Sequence, residues 1–319
     1  MSSFVLNPNK KDIERIGTFF YKLFRLIIVI GLAYYIIYPI LEKSLSVFMT
    51  TENLYDKSVG IIPRDWTLIN LKTVISTISF LDSSLNTVLI SAIAAITQAI
   101  SCTLVGYGFA RYKFPFKNVL FGAVILVLVI PVEVIITPLF LNYRYFDIFG
   151  IFKLINGEGI NLLDSIWPFL INGITCMGLK NGLYIYLMRQ FYRGVPKELE
   201  EAAKIDGAGY ARTFYEVMFP MGRPILFVVI VLSFVWQWTD SFYASWFYSS
   251  GKVLAVQVAN LSENLAVAKA LTGMDNLDAR MASMLNGAGA LLLMLPLVII
   301  YSFTHKNLVG GIERSGIVG

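Results

Sequence analysis

Histidine occurs once in the 319 residues, at His305, and cysteine twice, at Cys102 and Cys176. A lone histidine leaves no serine-histidine pair and no histidine-rich zinc site to assemble, so neither catalytic nor metal residues are expected. Both cysteines fall inside long apolar runs, where a free thiol behaves as a small apolar side chain. They imply no disulfide framework. Charge is scarce too: Asp, Glu, Lys and Arg make up 15% of the chain, against about one quarter in an ordinary soluble domain. A Gly-x-x-x-x-Gly-Lys-Ser/Thr phosphate loop is also missing, which removes that route to nucleotide binding. The sequence therefore reads as a non-enzyme with no cofactor of its own.

What replaces charge is apolar surface. Hydrophobic residues make up 56% of the chain and mean hydropathy is +0.67. Six apolar stretches stand near the roughly 20 residues that cross a bilayer as helix: about Leu23 to Leu41, Asn86 to Phe109, Val119 to Leu141, Ile166 to Met188, Ile225 to Trp246 and Gly287 to Thr304. Helix is the expected form, because lipid gives backbone groups no partners. The first stretch is expected to be a span and not a cleaved leader, since a mostly polar segment precedes it and no small-x-small site follows. The expected fold class is an all-α polytopic membrane protein with six spans and a cytoplasmic helical loop.

The net charge of +5 is unevenly spread. Residues 1 to 25, 111 to 117, 189 to 223 and 305 to 319 hold sixteen of the 26 Lys and Arg and eight acidic residues, while the other loops hold nine basic and eleven acidic. By the positive-inside rule both termini are expected in the cytoplasm. This placement accounts for the excess charge without a nucleic-acid partner. The expected organisation is a cytoplasmic segment 1–22, a first span 23–41, an external loop 42–85, a core 86–304 with five further spans and a cytoplasmic loop at about 189–223, and a cytoplasmic tail 305–319.

That longest cytoplasmic segment carries helix signals. Pro196 suits a first turn, and Glu198, Glu200 and Glu201 sit where the helix dipole favours negative charge. Lys204 lies near the other end, and Gly207 can adopt the left-handed conformation that stops a helix. A helix of about ten residues is expected, roughly 15 Å long. Leu199, Ala202, Ala203 and Asp206 share one face of it. A second helix, about Tyr210 to Met218, is expected to stop before Pro220.

Residues 201 to 220, EAAKIDGAGYARTFYEVMFP, resemble the EAA loop of ABC importer permeases. Glu201, Ala202, Ala203, Gly207 and Pro220 match its fixed positions, while Val217 and Phe219 are apolar replacements. Four other segments narrow the resemblance to MalG-like permeases of carbohydrate importers: GYGFARYKFPFKN (106–118), IPVEVIITPLF (130–140), NGLYIYLMRQFYRGVPKELEEAAKIDGA (181–208) and the tail LVGGIERSGIVG (308–319). The likeness covers about residues 84 to 319. It departs in the fifth span, where the family's Trp-Asn-Asp is Trp238-Thr239-Asp240 and Ala244 replaces a proline.

The resemblance implies a permease subunit that works with a second permease, two ATPase subunits and an extracytoplasmic solute-binding protein. ATP and Mg²⁺ would then belong to the ATPase. Glu201, Ala202, Ala203, Asp206, Gly207 and Pro220 would form the ATPase-coupling element, with Gly310, Gly311 and Gly316 in a tail that reaches toward it. The solute would pass between the permeases, and Lys180, Glu133, Trp238, Asp240 and Tyr243 are the candidate pathway residues. Aromatic Trp236, Trp238, Tyr243 and Trp246 suit either stacking on sugar rings or an interfacial belt. Lys180 is expected inside the fourth span, either paired with Asp240, Glu133 or a neighbouring subunit, or lining the pathway. Pro131 and Pro138 are expected to bend the third span. The same loop also serves importers of polyamines, phosphate or glycerol phosphate, and Glu133, Lys180 and Asp240 would equally suit an ion-coupled transporter.

Overall fold

The computed structural model describes residues 10–271 and 278–314. In chain order the helices are α1 (Lys10–Ser46), α2 (Thr51–Tyr55), α3 (Ile69–Thr77), α4 (Phe80–Arg111), α5 (Lys117–Val129), α6 (Val132–Arg144), α7 (Ile151–Asn156), α8 (Trp167–Ile174), α9 (Asn181–Gly194), α10 (Glu198–Ile205), α11 (Tyr210–Thr213), α12 (Phe219–Thr239), α13 (Phe242–Phe247), α14 (Leu254–Ala259), α15 (Leu261–Leu271) and α16 (Ala279–Arg314). A π-helical turn, Phe214–Met218, joins α11 to α12. The described residues contain only isolated β-bridges besides helix, in agreement with the all-α expectation.

The chain divides into two compact units, Met1–Lys72 with Leu277–Ala288, and Thr73–Asn276 with Gly289–Gly319. In the first unit, Asn70 donates from its buried amide to the carbonyls of Val47 and Met49, each at 2.8 Å. This pairs one side chain with backbone groups that would otherwise be stranded. The apolar part of α1 finds no such packing: none of its spanning window is buried within the chain. In water so exposed an apolar helix would be costly, whereas lipid or a second membrane subunit satisfies it.

The second unit is built on α4. Its buried positions run as a seam of small and polar residues, Ser83, Thr87, Ser91, Ala94, Ala95, Gln98, Ala99, Ser101 and Cys102. Small side chains let other helices approach closely, as they do in membrane bundles generally. The approach is tight: a Cβ on Gly106 of α4 would meet Met188 Cβ of α9 at 2.5 Å. Ser101 donates to the Gly173 carbonyl of α8 at 2.6 Å, and Ser233 of α12 donates to Gln98 at 2.5 Å. One apolar cluster, with Tyr107, Tyr184, Met188, Tyr192, Phe214 and Met218 among its buried members, packs α4 and α9 against the π-turn and α12. A second, with Ile136, Tyr143, Phe169, Tyr243 and Phe247, joins α6, α8 and α13.

Among the described residues, four helices are long and apolar enough to cross a membrane unaided: Gly17–Ser46, Phe80–Arg111, Tyr210–Thr239 and Ala279–Lys306. The expected third span is two helices, α5 and α6, bent by 103° at Ile130 and Pro131. Pro131 breaks the run, while Pro138 sits inside α6 without interrupting it. The expected continuous fourth span is divided into α8 and α9, with Cys176 at φ 58° and Lys180 at φ 60° in the break. Close approach to α4 accounts for that break: a Cβ at Gly173 would collide with Thr97, and one at Gly178 with Gln98. The expected fifth span also changes, since its helix begins at Tyr210, ends at Thr239 and resumes as the short α13.

Candidate coupling loop and membrane cavity

The candidate coupling segment folds as a short helix, a turn and a second helix, with two differences from the sequence expectation. Pro196 lies two residues before α10 and outside its first turn. The second helix does not stop at Pro220 but passes through the π-turn into α12. Proline in a regular helix strikes the carbonyl four residues earlier, and the wider turn, closed by the Phe219 N–H on the Phe214 carbonyl, relieves that clash. From Tyr210 onward the segment is thus part of one continuous 30-residue helix, Tyr210–Thr239, to which α10 is joined through the Asp206–Gly209 turn.

Gly207 has φ +83°, the left-handed conformation expected of it. The Ala208 N–H reaches back to the Ala203 carbonyl at 2.9 Å, and the Gly207 N–H to that of Lys204 at 3.0 Å, closing α10 as such a turn should. Asp206 is the C-cap. No residue of α10 is fully buried. Glu201 and Ala202 are exposed and Ala203 is half-buried, while the flanking Ile205 and Tyr210 are 86% and 69% exposed. Ile205 and Tyr210 thus add apolar surface on either side of the Gly207 turn. Gly310 and Gly311 continue α16 in helical form, and Gly316 lies outside the described residues.

One residue turns inward, and sequence reasoning gave it no separate role. Glu200 meets Arg111, the last residue of α4, at 3.0 Å, with side-chain exposures of 13% and 5%. The contact is Coulombic and not a well-aligned hydrogen bond, since neither atom has a partner by that measure. Arg111 also donates to the Val195 carbonyl at 2.5 Å. One guanidinium therefore fixes the approach to α10 by a hydrogen bond and α10 itself by an ion pair, both against α4. The sequence did hold a signal: a cation closing an apolar run, in the GYGFARYKFPFKN segment.

The pathway candidates separate into two groups. Lys180, Glu133 and Tyr243 line one cavity of about 780 Å³, together with Asn142, Met177 and the Pro131 break. Both broken helices open into it, so its wall is made where the chain departs from regular helix. Lys180 is the N-cap of α9, and its ammonium lies 4.7 Å from the centre of the Trp236 ring. Such a cation–π contact stabilises the charge by about 0.5 to 2 kcal/mol. Neither Lys180 nor Glu133 forms an ion pair among the described residues. Asp240 instead accepts from the Ala244 N–H at 3.0 Å and the Tyr243 N–H at 3.3 Å, capping α13. Trp238 is 2% exposed, and its indole N–H is held by the Leu293 carbonyl at 3.0 Å. Trp246 packs edge-on to Phe140 at 5.5 Å.

Comparison with known proteins decides what this arrangement belongs to. Residues 102–314 match the family described as binding-protein-dependent transport system inner membrane component. The chain belongs to this family. It is therefore an inner-membrane permease component, the coupling segment and the cavity both lying within the matched region. Relatives include the trehalose transport system permease protein SugB of Mycobacterium tuberculosis, 27% identical over 82% of this chain and 86% of that one. The maltodextrin transport system permease proteins MdxG of Bacillus subtilis and MalD of Streptococcus pneumoniae are each 26% identical. MdxG matches over 89% of this chain and 91% of its own length, MalD over 91% and 93%. In fold the permease resembles a chain of a bacterial ABC transporter involved in the import of the acidic polysaccharide alginate, with TM-score 0.69 and 21% identity over 94% of this chain and 99% of that one.

Proposed function

We propose that this permease forms half of the translocation pathway for a sugar or oligosaccharide, beside a second permease subunit and below an extracytoplasmic solute-binding protein. Two ATPase subunits holding ATP and Mg²⁺ dock on the EAA loop. The observation that carries the proposal is the exposed helix Glu198–Ile205, closed by left-handed Gly207 and joined by a four-residue turn to the long helix that begins at Tyr210. A helix so attached converts a push on its exposed face into movement of α12, and through Arg111 into movement of α4. The carbohydrate solute is supported by the names of several relatives. Both termini are placed in the cytoplasm, on the same side as the coupling loop, because the basic segments lie there.

In this account Glu201 offers a charge-assisted contact to a basic groove, Ala202 and Ala203 permit close packing, and Pro220 begins the transmitting helix. Lys180, Glu133 and Tyr243 line the solute's route. Asp240 and Trp238 shape that route by holding α13 and α12 in place. The test is co-purification and uptake: the tagged permease, expressed with its partner subunits, should retain an ATPase polypeptide and support ATP-dependent oligosaccharide uptake. Uptake driven by an ion gradient, with no ATPase retained, would overturn the proposal.

A further inference from the structure

Four cations gather where α5 and α9 end on the coupling-loop side. Lys117 opens α5 and donates from its ammonium to the Tyr112 carbonyl at 2.8 Å; it is partly desolvated there, and Arg189, Arg193 and Lys113 stand near enough to act on its charge. On α5, Lys117 and Phe121 are one turn apart, and on α9 so are Arg189 and Arg193, so each pair shares a face. The two faces meet: the Arg189 guanidinium lies 3.8 Å from the centre of the Phe121 ring, and Phe121 stacks on Tyr186 at 6.5 Å. None of the four cations forms an ion pair among the described residues, and the buried Nε of Arg189 has no hydrogen-bond partner. Like charges brought together without a counter-charge raise the free energy of the fold. An anion is the simplest relief.

Three further features say which anion. The amino-terminal end of α5, with its partial positive charge, has no side-chain cap. Phe116 and Phe114 flank the cluster, 77% and 37% exposed. Beyond them α5 is apolar with no buried residue, and Val119 and Leu120 are 70% and 49% exposed. A basic pocket that continues into an exposed apolar helix matches both halves of a lipid, whereas free phosphate would use only the first. We propose that Lys113, Lys117, Arg189 and Arg193 hold the headgroup phosphate of an anionic phospholipid, with its acyl chains lying along α5. This rests on the loop side facing the aqueous phase, not on the identity of the solute.

The test uses the assembled importer in detergent and counts bound lipid by native mass spectrometry during titration with phosphatidylglycerol or phosphatidylcholine, with inorganic phosphate as competitor. Phosphatidylglycerol should be retained in preference. The Lys113→Gln/Lys117→Gln/Arg193→Gln variant should bind it about a hundredfold more weakly, on the basis of about fivefold for each charge removed. Removing three cations elsewhere, Lys57→Gln/Lys72→Gln/Lys153→Gln, should change binding less than about twofold, and Lys113→Arg/Lys117→Arg should preserve it. Should the triple variant fail to assemble, Arg193→Gln alone should still show the fivefold loss. Equal retention of the two lipids, unchanged binding in the cluster variants, or displacement of the lipid by millimolar phosphate would each overturn the proposal.

Discussion

Removing one member of the Arg111–Glu200 pair should loosen the coupling helix more than any other single change near it. The pair is nearly dry on both sides, and deleting one partner of a buried pair costs about 3 to 5 kcal/mol, mostly from the charge left behind. Glu200→Gln leaves the guanidinium with the Val195 carbonyl as its remaining acceptor. Because the pair lies at an aqueous end of the bundle, the lower limit applies, about 3 kcal/mol. That corresponds to about a hundredfold faster exchange for amides of Glu198–Asp206 that open locally. Arg111→Met should do the same. The double variant Arg111→Met/Glu200→Gln strands no charge, so its cost should fall short of the sum of the single costs by at least about 2 kcal/mol. Hydrogen exchange on the assembled importer reads all three variants, with ATPase co-purification measured in parallel. Additive effects, or wild-type exchange in both single variants, would refute the reasoning.

Other outcomes follow from single positions. Gly207→Val should impair ATPase docking at about 1 to 2 kcal/mol of backbone strain, because its φ is +83° and nothing crowds its Cβ, whereas Gly209→Val, equally uncrowded and without a positive φ, should dock normally; equal behaviour of the two variants in pull-down would remove the turn from the account. Lys180→Met should leave assembly and thermal stability intact, since among the described residues its ammonium forms no ion pair and rests on the Trp236 ring, and should lower uptake; unchanged uptake would take Lys180 out of the pathway. Asp164 accepts from the Ser250 N–H at 2.7 Å and the Ser249 hydroxyl at 3.2 Å, and these bonds hold its carboxyl below its ordinary pKa. A depressed carboxylate stabilises the fold above its unfolded value of about 3.9 and loses that contribution as pH falls through the folded value. Protection of the Ser250 amide, taken relative to intrinsic exchange at each pH, should therefore hold at neutral pH and fall below about pH 4, while Asp164→Asn should abolish that step.

The helix and glycine turn of residues 198–207 were legible because their signals are local. Acidic residues at one end of a helix, a lysine at the other and a glycine beyond state the same thing that the structure realises at Gly207. Membrane character was legible for the same reason, as apolar composition is a property of short windows. The broken fourth span was not, because its apolar run is continuous and the break at Thr175–Lys180 comes from Gly173 and Gly178 pressed against α4, a contact between distant segments. Pro131 announced a bend but not one of 103°, since proline fixes the site of a kink and surrounding helices fix its size. The π-turn before Pro220 left no mark beyond the proline itself. Among the pathway candidates, Lys180, Glu133 and Tyr243 meet in one cavity, while Trp238 and Asp240 find partners within the chain. Sequence could nominate all five by chemistry but could not say which already had a backbone partner.

The central claim is that the exposed helix Glu198–Ile205 is the surface on which a separate ATPase acts. A photo-crosslinking amino acid at Ile205, a large apolar residue of that helix exposed at 86%, tests it directly in the assembled importer. The account predicts a covalent adduct between the permease and the ATPase subunit, formed in membranes, with yield that changes when ATP is added. A crosslink only to lipid or to the permease itself, in a preparation that contains the ATPase and transports solute, would contradict it.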